Sequence, residues 1–114
     1  MNISITFRQM EATEAVKSYA TDKVGKLQRL LRSPMKASVV LSTQHRTHSA
    51  EVDIHSGAEH HHAHETSEDM YATIDKVLDK LERQIRHVHE TKNNKKGQER
   101  ASERLISANA EDED

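Results

Sequence analysis

Residues 68–90, EDMYATIDKVLDKLERQIRHVHE, decide the architecture of this chain. Ile74, Val77, Leu78, Leu81, Ile85 and Val88 recur at helical spacing. On a wheel of about 100° per residue they fall between roughly 100° and 200° from Lys76. A helix with one such stripe must bury it against a second layer. Ser67 is the expected cap, with a start near Glu68 and the acids Glu68 and Asp69 in the first turn. Fraying is expected near Asn93-Asn94, with the limit at Gly97.

The second layer is written upstream, in alternation. Ile3, Ile5 and Phe7 share one side of a strand over residues 2–7, and Asn2, Ser4 and Thr6 the other. Met35, Ala37, Val39 and Leu41 give a strand over 35–43, and Gln44 to Thr47 a polar turn. Ala50, Val52 and Ile54 point inward from a strand over 48–56, with Glu51, Asp53 and His55 outward. Ser56-Gly57-Ala58 reads as a hairpin turn in which Gly57 supplies the positive φ. The strand expected over 59–66 is patterned mostly by histidine. Between the first two strands, Val16, Ala20, Val24, Leu27 and Leu31 predict a helix over 14–32. Thr13 caps it and Ser33-Pro34 ends it. The order β-α-β-β-β-α predicts an α+β two-layer sandwich: a four-stranded, largely antiparallel sheet with two helices on one face.

The chain has 114 residues and a formal charge of −2. The average hides an asymmetry. Residues 1–96 carry 15 Lys+Arg against 13 Asp+Glu, whereas residues 97–114 carry two against six. The expected organisation is therefore one mildly basic domain over 1–96 and a mobile acidic tail over 97–114. With no cysteine, a disulfide scaffold and a thiol nucleophile are both excluded. The opening MNISITF does not look like a signal peptide, and no apolar run approaches a membrane span, so a cytoplasmic protein is expected. Only Phe7, Tyr19 and Tyr71 are aromatic, which weakens any aromatic platform for single-stranded nucleic acid.

Cations mark the candidate surface. Lys80, Arg83 and His87 lie within about 40° of Lys76 on the wheel, almost opposite the apolar stripe, with Arg86 beside them. Lys92, Lys95 and Lys96 continue the positive charge. The first helix adds Lys23, Lys26 and Arg29 along one edge of its stripe. Helices packed side by side would set two basic rows on one outer surface, an arrangement that binds phosphate backbones by releasing their counterions. The same charges also fit a solvated face neutralised by i,i+4 pairs such as Asp79 with Arg83. His60, His62 and His64 would share one strand face near His55, and imidazole ligates zinc or nickel. No cysteine, HExxH or defined carboxylate geometry accompanies them, so no metal and no cofactor is expected. No nucleophile elbow, phosphate loop or paired-carboxylate motif is present, and Asp69 reads as a helix N-terminal acid, so no enzyme is expected.

Two pieces of the second helix, D-M-Y-A-x-I-D at Asp69–Asp75 and D-K-L-x-R-Q-I at Asp79–Ile85, resemble the ribosome hibernation-promoting factor family, which includes the ribosome-associated translation inhibitor. T-E-A at Thr13–Ala15, K-x-x-K-L at Lys23–Leu27 and H-x-A-E-V-x-I at His48–Ile54 extend the resemblance over residues 2–92 in order. It implies binding to 16S rRNA of the small ribosomal subunit, in the channel of the messenger and transfer RNAs. Translation would be inhibited and inactive ribosomes preserved, without DNA or membrane partners and with a monomeric free protein. The family's basic positions fall on Lys23, Lys26, Lys80, Arg83 and Arg86, with Lys76 and His87 beside them. Tyr71 matches the family tyrosine and is expected only to anchor the helix start.

Two departures stand out. His61 occupies a place where the family usually has an apolar residue, so the fourth strand is expected to be partly solvated or pH-sensitive. The acidic tail matches no family motif and resembles a short form lacking the second domain of long members; whether it favours or opposes ribosome pairs is left open. The competing expectation is a general RNA-binding or protein-interaction module with no ribosome role. A histidine protein carrying metal is a third.

Overall fold

This computed structural model describes residues 1–93, with side chains through Glu90. The helix limit expected near Asn94 and Gly97, the side chains of Lys92, Lys95 and Lys96, and the segment 97–114 lie outside the described residues. The chain runs β1 (Asn2–Arg8), α1 (Glu14–Gly25), a 3-10 segment (Lys26–Leu30), β2 (Met35–Gln44), β3 (Thr47–Ser56), β4 (Glu59–Ser67) and α2 (Met70–Asn93). The sheet order is β1-β2-β3-β4. β1 and β2 are parallel, the pairing that the crossover through α1 makes possible, while β2-β3 and β3-β4 are antiparallel hairpins. This is the predicted two-layer sandwich, with a mixed and mostly antiparallel sheet.

Register places the small and branched residues together. Ala37 faces Ile54, Val39 faces Val52 and Leu41 faces Ala50, while Val52 faces Ala63 on the other side. All seven are buried, and Ile74, Val77, Leu81 and Ile85 of α2 cover them with essentially no exposure. α2 lies on β3 and β4, and α1 against β1. The opposite sheet face is polar and uncovered, as period-two strands with one buried face require.

Both hairpins turn on two residues. His45-Arg46 joins β2 to β3, a tighter turn than Gln44 to Thr47, and His45 adopts φ 59°. Gly57, in the second hairpin, has φ 61°, and a Cβ there would come within 2.9 Å of Ser33 Oγ. Any other residue would face both a strained backbone and a steric clash.

Three expectations change. The first helix ends at Gly25 rather than 32, where the chain tightens into the 3-10 segment. Glycine is the poorest helix former after proline, and just beyond it Gln28 draws the chain towards β2. Its Nε2 donates to the Ser33 carbonyl at 2.9 Å and its Oε1 accepts from Met35 N at 2.7 Å. Leu27 and Leu31 stay buried, so the apolar period is satisfied by a different backbone. The cap of α2 is Asp69, whose Oδ2 accepts from Ala72 N at 2.9 Å. Ser67 instead ends β4 and meets the buried Thr73 hydroxyl at 2.6 Å. Thr73 in turn donates to the Asp69 carbonyl at 2.7 Å, which fixes the entry into the helix.

The third change is at His61: of the two alternatives, a partly solvated or a pH-sensitive strand, the first does not hold there, since His61 is only 6% exposed on the inner face of β4. Its Nε2 donates to Glu59 Oε1 at 2.9 Å, and His89 Nε2 of α2 donates to Glu59 Oε2 at 2.9 Å. One carboxylate thus replaces the apolar contact that would otherwise join the strand to the later turns of the helix. Burial works against the Glu59 carboxylate, and the hydrogen bonds from His61 and His89 outweigh it, holding its pKa below the ordinary value. A depressed folded pKa contributes stability above the unfolded value and loses it as pH falls through the folded one. Glu59→Gln is expected to lower unfolding free energy at neutral pH by about 2 kcal/mol. Thermal melts should show the gap to wild type closing as pH drops below the ordinary glutamate value of 4.5. A gap that stays constant in acid would show that the charge of Glu59 is not its source.

Candidate nucleic-acid interface

Burying the stripe of α2 against the sheet turns its polar arc outward, and α1 lies alongside. Between them runs an open groove of about 420 Å³. Its walls carry Lys23, Lys26 and Arg29 from α1 and the 3-10 segment, and Lys76 and Arg86 from α2, over apolar Leu27, Leu30 and Leu78. Asp75, Asp79 and Glu82 share the same walls. Five cationic residues against three carboxylates line the groove, the Lys76 ammonium being held at Thr66 and Glu65 of β4.

Lys80, Arg83 and His87 do not line it. Lys80 turns towards β4, where its Nζ lies 3.3 Å from Glu65 Oε2, and Lys76 Nζ lies 3.9 Å from Oε1 of the same residue. Lys76 Nζ also donates to the Thr66 carbonyl at 3.1 Å. The two rows expected on one outer surface are therefore parted by an acidic row, Asp75, Asp79 and Glu82, along the flank of α2. That row was readable: the three acids fall between about 240° and 300° on the same wheel.

The acids pair locally. Arg83 Nη2 lies 2.7 Å from Asp79, Arg86 Nη2 2.9 Å from Glu82, and Lys23 Nζ 3.8 Å from Asp75. Such exposed pairs contribute on the order of 0.2–1 kcal/mol, so a phosphate can replace the carboxylate at little penalty. Arg83, with its side chain 74% exposed, is the freest of these to exchange. Lys26 and Arg29 form no ion pair among the described residues and stand ready for an anion as they are.

Tyrosines stand at the end of the groove nearest the helix starts. Tyr19 hydroxyl donates to Asp75 Oδ1 at 2.6 Å, Lys23 Nζ lies 5.4 Å from its ring centre, and Tyr71 packs edge-on at 4.9 Å between centroids. The hydrogen bond to Asp75, with desolvation and the carboxylate's charge behind it, raises the Tyr19 pKa above its ordinary value, so it stays a donor. Tyr19 was not singled out from sequence, because its partners lie 52 and 56 positions away and no local pattern marks them.

The histidines lie elsewhere, on the uncovered sheet face. His60 and His62 both donate to Asp53 Oδ1, at 3.1 and 2.9 Å, and His55 stacks on His60 with centroids 4.2 Å apart. These hydrogen bonds, His62 first, hold Asp53 below the usual carboxylate range. Among the described residues no three His, Asp or Glu side chains are arranged to hold a metal ion.

The family described as Sigma 54 modulation protein / S30EA ribosomal protein matches residues 3–93. The ribosome hibernation promoting factor of Escherichia coli K12 is 35% identical over 85 residues, spanning 75% of this chain and 90% of that protein. The ribosome hibernation promotion factor of Lactococcus lactis is 33% identical over 99 residues, or 84% of this chain and 53% of that one. The crystal structure of the Thermus thermophilus Protein Y N-terminal domain superposes with a TM-score of 0.72 at 31% identity, covering 77% of this chain and 99% of that domain.

If the acidic row only moderates the cations beside it, removing its charge should leave the fold alone and sharpen anion binding. Asp79→Asn with Glu82→Gln is expected to change stability by no more than about 0.5 kcal/mol. Elution from a heparin column should shift to higher salt. Unchanged or earlier elution would mean that the pairs hold Arg83 and Arg86 in the binding geometry rather than restrain them.

Proposed function

We propose that this chain, which belongs to the Sigma 54 modulation protein / S30EA ribosomal protein family, is a ribosome hibernation factor that grips 16S rRNA of the small subunit. The observation that carries the proposal is the exposed cation surface of the two helices, on a chain matching that family from residue 3 to residue 93. Lys23, Lys26 and Arg29 with Lys76 and Arg86 hold one phosphate run along the groove. Lys80, Arg83 and His87 hold a second on the outer side of α2. Each neutralised phosphate releases condensed counterions, the entropic source of such affinity.

Occupation of the messenger and transfer RNA channel then stops translation by exclusion. No bond breaks, and the idle ribosome is preserved. The function is binding rather than catalysis, in the cytoplasm where ribosomes are, by a free protein that is monomeric. No helix of the described residues is long and apolar enough to cross a membrane. The folded domain is proposed to end near residue 96, with residues 97–114 outside it.

Two experiments test this. Lys80→Glu with Arg83→Glu is expected to abolish inhibition of translation in a cell-free assay, while stability changes by about 0.5 kcal/mol, since neither side chain enters the core. Ser4→Glu with Thr6→Glu, on the uncovered sheet face, should leave inhibition intact. Wild-type inhibition by the helix variant would refute the binding face. Co-sedimentation with small subunits should weaken by orders of magnitude between low and moderately high salt and survive excess duplex RNA. Displacement by any duplex would instead indicate a general RNA-binding module. Truncation after Lys96 should leave the melting temperature unchanged; a large drop would place part of 97–114 on the domain.

A further inference from the structure

The phosphate contacts leave one feature of the helical face unused. Tyr71, in the first turn of α2, is 38% exposed, more than any other large hydrophobic residue of the described chain except Met1. Anchoring the helix start does not account for it. That work falls to neighbours: Met70 and Ile74 are buried, Asp69 caps the helix, and Thr73 is tied to Ser67 and the Asp69 carbonyl. What Tyr71 does touch is Tyr19, edge to face at 82°. Tyr19 is itself held by Asp75 and Lys23, two residues of the groove wall. An aromatic ring is thus kept at the surface, oriented, beside a groove suited to a phosphate chain.

We propose that Tyr71 is a stacking site for one unpaired nucleobase of the RNA whose backbone lies along the groove, with Tyr19 as its positioning residue. The assignment rests on the RNA-binding function proposed for the same face. Bases inside an A-form duplex are out of reach, whereas unpaired bases splay out and stack on exposed aromatic rings. The edge contact with Tyr19 fixes the ring before binding, so little rotamer freedom is lost when a base lands on it. Lys23, beside Tyr19, is placed for the phosphate flanking that base. With three aromatics in the whole chain, the site takes a single base and not a stacked run. It lets a surface of otherwise sequence-blind cations tell a backbone with an unstacked nucleotide from a plain duplex.

The test separates base from backbone. A single-stranded oligoadenylate and an abasic oligomer of equal length and charge are titrated against wild type, Tyr71→Phe and Tyr71→Leu at moderately high salt. There phosphate contacts are weakened and stacking is not. Wild type and Tyr71→Phe are expected to prefer oligoadenylate by roughly tenfold. Tyr71→Leu should lose that preference, keep its affinity for the abasic oligomer and melt as wild type does. Because the chain has two tyrosines and no tryptophan, Tyr19→Phe leaves Tyr71 as the sole emitter, and its emission should fall with oligoadenylate and not with the abasic oligomer. Equal preference in Tyr71→Leu and wild type, with salt-dependent binding intact, would overturn the stacking site and leave the phosphate surface standing. Failure of wild type to bind either oligomer or small subunits would overturn both.

Discussion

The apolar stripe of α2 has one place to go, and the rest of the molecule follows from putting it there. Ile74, Val77, Leu81 and Ile85 reach near-zero exposure only by lying on the strand residues Val52, Ile54 and Ala63 and their neighbours. A fully buried side chain of this size is worth about 1.5–3 kcal/mol relative to exposure, so four together fix the rotation of the helix about its axis. Once that rotation is fixed, the angular positions of the other side chains are no longer free. Lys80, Arg83 and His87 must face outward, and Asp75, Asp79, Glu82 and Arg86 must face towards α1. The surface charge pattern is thus a consequence of core packing.

That pattern is mixed rather than uniformly basic, and the mixture has a physical use. A row of unopposed cations would repel itself and would bind any polyanion. Interleaved carboxylates reduce the repulsion in the free protein, and because each pair is exposed, the carboxylate gives way to a phosphate at little penalty. In the proposed function, two phosphate runs, one in the groove and one outside α2, would demand an RNA surface of matching shape. The Glu59–His61–His89 set, with His61 buried and its two partners half-buried, differs in kind. There the charge is partly withdrawn from water, and breaking it would loosen β4 from the later turns of α2, near Arg86 and His87.

Periodicity made most of the fold legible. The two-residue alternation of β2 and β3 and the helical stripe of α2 name side chains that the structure buries, Val88 excepted, while Ile3, Ile5 and Phe7 of β1 pack half-buried against that core. The errors came where one residue type serves two backbones. Leu27 and Leu31 fit an α-helix by spacing, yet Leu27 is buried from the 3-10 segment and Leu31 from the extended residue just after it, and the bonds of Gln28 to Ser33 and Met35 settle the choice. Ser67 and Asp69 are both good caps, and the one extra residue of β4, Ser67 itself, passes the role to the second. At His61 a polar residue in an apolar place left a partly solvated and a pH-sensitive strand both open, because sequence alone does not show the Glu59 carboxylate two positions away folding back to meet it. At the candidate site, composition and the wheel named the cations, while the tyrosine pair depends on contacts across more than fifty residues.

The central claim is that the helical face, and not the open sheet, meets ribosomal RNA. The chain has no cysteine, so a single one introduced at exposed Glu90 on α2, or at exposed Ser4 on β1, gives a unique point for tethering an iron chelate. Hydroxyl radicals released from each position on bound small subunits then mark the nearest RNA backbone. Strong 16S rRNA cleavage along the messenger and transfer RNA channel from position 90, with weaker cleavage from position 4, is the expected result. Dominant cleavage from position 4, or cuts confined to RNA outside that channel, would contradict the account.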